Sequence, residues 1–137
     1  MLILGNHDPQ TLDGRVRPEF ADLFHEVHSL LRIKVAVGGE PRLIVLCHYA
    51  MKVWDRAHHG SWHLFGHSHG NLPDDPGSRS WDVGVDRNSF APLSLDEVAS
   101  IMERKTFHPV DHHRPDEPPD GEPDEDGSAP APRVVDR

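Results

Sequence analysis

One cysteine, one tyrosine and no long apolar run set the first limits on this chain of 137 residues. A lone Cys47 forms no internal disulfide, so no covalent framework holds the fold together. No stretch approaches the ~20 apolar residues that span a bilayer. Met1 leads directly into Leu2, Ile3 and Leu4, without the charged start of a signal peptide. These absences point to a reducing, aqueous compartment, the cytoplasm, and to no membrane partner. Basic residues are also short: 14 Lys and Arg stand against 23 Asp and Glu, for a net charge of −9. That balance argues against nucleic-acid binding through bulk electrostatics, while leaving open a metal-mediated contact with a phosphate group.

Proline and glycine are plentiful, at 13 and 11, but unevenly placed. Residues 109–137 hold seven of the prolines and nine acids against three arginines. Too few apolar residues stand there to offset the entropy of ordering, which predicts a disordered acidic tail. Residues 1–108 are then the folded part, with one modest core.

Within that part, Leu2-Ile3-Leu4 reads as a short buried strand ending at Gly5 and Asn6. Pro18 before Phe20, Leu23 and Phe24 suits a brief helix. Leu31, Ile33, Val35 and Val37 alternate with His28, Arg32, Lys34 and Ala36, the period of a strand with one buried face. Gly38-Gly39-Glu40-Pro41 turns the chain into Leu43 to Cys47, apolar throughout and read as a strand covered on both faces. Trp62–Phe65 and Trp81–Val85 read as further strands. Ser94 with Glu97 forms a capping-box pattern ahead of Leu95, Val98, Ala99 and Met102 on one helical face.

Histidine is the compositional outlier: 12 in all, six of them between His48 and His69. Three strands end in possible metal ligands, at Asn6-His7, His48 and His67. In an extended segment His67 and His69 would project to the same side and serve neighbouring metals. Two cations about 3.5 to 4 Å apart clamp a phosphoryl group and bind an attacking hydroxide, the logic of two-metal phosphoester hydrolysis.

Gly5-Asn6-His7-Asp8, Cys47-His48-Tyr49 and Gly66-His67-Ser68-His69, in that order, resemble the later motifs of the calcineurin-like metallophosphoesterases. Residues 57–63 and Asp82-Val83-Gly84-Val85-Asp86 are further similar to the small phage and bacterial branch of that family. The resemblance covers about residues 2–105. It implies an α/β fold, the C-terminal part of a four-layer arrangement of two mixed β-sheets face to face and flanked by helices. It also implies Asn6, His48 and His67 as ligands of one metal, His69 as a ligand of the other, and His7 as general acid, with Asp8 orienting His7. Mn is the expected metal, with Fe, Zn or Mg as alternatives. The substrate implied is a small-molecule or other phosphomonoester or phosphodiester.

The family's earlier Asp-x-His and Gly-Asp motifs are absent. Asp111-His112-His113 has the first spacing, but within the acidic segment and with no strand before it. The expectation is therefore the C-terminal part of a longer enzyme, with a partial metallophosphoesterase domain over 1–108, one metal per chain instead of two, and an exposed sheet edge. A noncatalytic remnant binding a single ion stays open as the alternative function, and a histidine-rich metal buffer as a third. His58, His59 and His63 are expected on the cleft rim. Trp54, Trp62 and Trp81 are expected in core and rim packing, and Cys47 as a small buried apolar residue.

Overall fold

A computed structural model describes residues 1–8, 16–108 and 110. The acidic segment 109–137, with Asp111, His112 and His113, lies outside the described residues except for Val110. The described part is a small mixed α/β domain with two sheets and few helices.

The first sheet is minimal. Strand β1 (Leu2–Ile3) pairs in parallel with β2 (Val27–His28). Backbone bonds from Leu2 to Glu26 and from Leu4 to His28, both 2.8 Å, complete the pairing. Among the described residues between these strands is the short helix α1 (Pro18–Ala21), whose leading proline suits a position that needs no N–H.

The second sheet has the order β3-β4-β5-β6. Strands β3 (Leu30–Val37) and β4 (Glu40–Cys47) form an antiparallel hairpin across Gly38 and Gly39. Both glycines have positive φ, 58° and 88°, the geometry of a two-residue turn that matches strand twist. Along β3 the even residues are exposed and the odd ones half-buried, as the sequence alternation requires. Strands β5 (Trp62–Phe65) and β6 (Ser80–Asp82) add in parallel beyond β4. The expected Trp81–Val85 strand is shorter. After Asp82 the chain leaves the sheet and forms a 3-10 turn over Val85–Arg87.

Helix α2 (Leu95–Glu103) begins with a complete capping box: Ser94 Oγ accepts from the Glu97 N–H, and the Glu97 carboxylate accepts from the Ser94 N–H. It lays Val98 and Met102 over Ile44 and Trp62, and these four buried side chains form the main core. The opposite face carries Val45, Trp54 and Ala57 under the 50–60 loop. Strand β4 is thus covered on both faces at its centre, with Ile44 and Val45 buried. Cys47, at its end, is half-buried and free. Trp54 and Trp62 belong to the core, whereas Trp81 is half-buried with the Arg87 guanidinium 4.0 Å from its ring centroid. Among the described residues no helix is long and apolar enough to cross a membrane.

Candidate metal centre

Strands β4 and β5 run in parallel, so the residues that follow them emerge at the same edge. The backbone ties these exits together, because the Gly66 and His67 N–H groups both donate to the His48 carbonyl, at 3.1 and 3.0 Å. The loop after β1 reaches the same place. Gly5 packs so closely on the His48 ring that a methyl group there would lie 2.8 Å from an imidazole carbon.

Three donor atoms meet as a result. His48 Nε2 lies 2.7 Å from Asn6 Oδ1 and 3.1 Å from His67 Nδ1, and the third edge, His67 Nδ1 to Asn6 Oδ1, is 3.0 Å. Protons alone do not satisfy this triangle. An imidazole nitrogen is either a donor or an acceptor, and each amide atom is only one of the two. With three atoms and two kinds, at least one edge joins like with like. A cation in contact with all three lone pairs removes the conflict. Neighbouring ligands of a six-coordinate ion at about 2.1 Å are spaced about 3 Å apart, the scale of these edges. Two imidazoles and an amide oxygen suit Mn, Fe or Zn.

The surroundings keep the triangle in shape and favour the neutral form of the His48 ring. Tyr49 sets its ring 5.0 Å from His48 and 4.8 Å from His67, centroid to centroid, and so touches both imidazoles. Partial burial, then the neighbouring His67, push the His48 imidazole below the ordinary histidine value, while Asp8 acts in the opposite sense. A neutral ring keeps the lone pair that coordination uses.

The other residues singled out are placed differently. His7 is exposed, and its charge is among those that act on His48. Asp8 does not bond to His7; its Oδ2 accepts the Gly5 N–H at 2.6 Å and closes the loop that carries Asn6. His67 and His69 do not share a strand face, because residues 67–70 form a turn and His69 has a positive φ of 49°. His69 Nδ1 instead lies 2.8 Å from Asp86 Oδ2. Among the described residues no group of three or more His, Cys, Asp or Glu gathers as a metal site. The third donor of the triangle is an asparagine.

The histidines expected on the cleft rim are elsewhere. His63 is fully buried within β5; its Nδ1–H donates to the Val45 carbonyl at 3.1 Å, and its Nε2 accepts the Met51 N–H at 3.1 Å. His58 and His59 stand in the 3-10 turn Ala57–His59, which leads into the opposite end of β5. Sequence reasoning also missed two carboxylates. Asp86 holds His69. Asp82, 1% exposed, accepts the Gly70 N–H at 3.0 Å and the Gly84 N–H at 2.9 Å, pinning the turn that follows His67. An acid at the end of a strand beside Gly84 was the available signal for this.

No protein-family model matches the chain, and neither the curated proteins nor the solved structures contain a match to it.

Proposed function

We propose that the chain holds a divalent cation on Asn6, His48 and His67 and uses it in hydrolysing a phosphoester, with its fold forming the C-terminal part of a metallophosphoesterase. The observation that carries this reading is the triangle of two imidazole nitrogens and one amide oxygen with edges of 2.7, 3.0 and 3.1 Å. The three motifs that resemble the family's supply those same atoms. Mn is the first choice, and Fe, Zn or Mg remain chemically acceptable. A cation bound there would polarise a phosphoryl oxygen and offset charge that builds up on it.

The protein's own groups have separate tasks. Asn6, His48 and His67 bind, and Tyr49 keeps the two rings from rotating out of register. Asp82 holds the turn after His67. His7, exposed beside the triangle, carries the proton for the leaving oxygen on its imidazole. His69 with Asp86 forms an ion pair on the same rim whenever the imidazole is protonated.

One feature favours the alternative of a single-ion protein with little or no turnover. His69 is engaged by Asp86, and among the described residues no second donor group converges beside the first. The two readings separate on hydrolysis of bis(p-nitrophenyl) phosphate by residues 1–137 with added Mn, compared with His48→Ala and His7→Ala. Turnover abolished by His48→Ala and reduced about 100-fold by His7→Ala supports the hydrolase. Metal binding without turnover supports the single-ion alternative, and turnover indifferent to His48→Ala rejects the proposed site.

A further inference from the structure

The opposite end of the four-stranded sheet carries a cluster of a different kind. A cleft of about 250 Å³ is lined there by Lys34, Arg42, Arg56 and His59, and among the described residues no carboxylate lines it. Arg42 and His48 are six residues apart along one extended segment, which places the cleft about 20 Å from the histidine triangle. In a chain of net charge −9, the grouping of Lys34, Arg42 and Arg56 around one cleft runs against the overall balance.

Among the described residues, Lys34, Arg42 and Arg56 form no ion pair. Asp55, the acid next to Arg56 in sequence, is held by Arg32 at 2.9 Å. Arg42 makes one long bond, from Nη1 to the Gly60 carbonyl at 3.4 Å, and its buried Nε has no acceptor. Arg79 stands beside Gly60, outside the cleft lining and against the Phe107 ring; burial first, and then Arg42, push its guanidinium below the ordinary arginine value. Like charges set this close repel, and an anion placed among them relieves the repulsion.

We infer that this cleft is a second binding site, separate from the histidine triangle, for a phosphate-class oxyanion. The guanidinium forks of Arg42 and Arg56 match tetrahedral oxygens in pairs, and Lys34 adds a point charge. Its volume of about 250 Å³ lies just below the roughly 300–1,000 Å³ of sites that enclose drug-sized ligands, so it has room for a phosphate or a small phosphomonoester.

The test is calorimetric titration of the full chain with inorganic phosphate in the presence of EDTA, which removes metal bridging at the histidines. One phosphate per chain is expected. Lys34→Gln with Arg56→Gln should weaken binding at least tenfold; both side chains are exposed, so the fold should survive the change. Arg42→Lys, which keeps the charge but loses the fork, should weaken it less. His48→Ala should bind phosphate as the unaltered chain does, whether or not the metal proposal stands. A parallel titration with glycerol 3-phosphate identifies the source of the anion: equal affinity means a phosphomonoester is accepted, and exclusion means the site takes free phosphate. No phosphate binding, binding unaltered by the double substitution, or binding lost in His48→Ala would each overturn the inference.

Discussion

His63 and His48 lie on neighbouring strands of one sheet, yet they are opposites in chemistry. His63 sits inside β5, fully buried, with each ring nitrogen bonded to the backbone and the ring between Trp54 and Phe65. His48 sits one residue beyond β4, with its Nε2 directed at two other side-chain donors. The first is a core residue whose polar atoms are satisfied by the fold. The second is held by the fold in an arrangement that protons do not satisfy. Position relative to the strand end separates them: a residue inside a strand meets the neighbouring backbone, and one just past the end meets other loops.

Replacing each histidine by alanine should pull the two roles apart, and this is the largest expected effect. His63→Ala leaves a cavity and two unpaired backbone groups, so unfolding stability should drop by about 3 kcal/mol in urea melts. His48→Ala, at a half-exposed site, should cost under about 1 kcal/mol and abolish metal binding. Equal losses of stability in the two variants would break the contrast.

Gly5→Ala sharpens it from the other side. The added methyl would lie 2.8 Å from the His48 ring and displace it. Metal affinity should fall about tenfold with only a minor change in melting temperature, since a small misplacement of a ligand costs binding more than folding. An unchanged affinity would mean that the His48 ring position is not critical.

Acid should act on the core histidine through stability. Burial pushes the His63 imidazole below the ordinary histidine value, although the Val45 and Tyr49 carbonyls, the latter 3.2 Å from Nε2 and able to accept only from the protonated ring, oppose this. As pH falls, the unfolded chain takes up the proton first, so the folded state loses stability from the ordinary histidine pKa downwards. Above that pH the stability is level. His48 is shifted in the same direction, so both rings contribute. Urea melts between pH 8 and pH 5 should show the decline, and His63→Gln should flatten it; a decline as steep in that variant would assign it elsewhere.

The smallest effect concerns the helix that packs with Trp62, whereas the His63 ring lies against Trp54 of the other apolar cluster. Ser94→Ala removes the N-terminal cap of α2 and should lower stability by about 1 kcal/mol, leaving metal binding unaltered. Altered metal binding in that variant would show that α2 and the rim are coupled.

Much of the fold was legible in the residues themselves. Alternation along 30–37 marks a strand with one covered face, the apolar run 43–47 a strand covered on both, and Ser94 with Glu97 the start of the helix. Strand ends were also legible, which is why Asn6, His48 and His67 stand out before any coordinates. What misleads is the backbone after those ends. Spacing suggests that His67 and His69 face the same way, but His69 adopts positive φ and turns to Asp86. Alternation suggests a strand through Val85, but the Asp82 carboxylate captures the Gly70 and Gly84 N–H groups and ends it early. His63 resembles its neighbours in sequence because β5 is covered on both faces, and such a strand shows no period that separates a core histidine from a rim one.

The most direct measurement is a calorimetric titration of the metal-free full chain with Mn, repeated on Asn6→Ala. The expected result is one ion per chain at neutral pH and affinity reduced at least tenfold in Asn6→Ala, because the amide oxygen is one corner of the triangle. Absence of binding by the unaltered chain, or equal binding by Asn6→Ala, would contradict the assignment of Asn6, His48 and His67 as a metal centre.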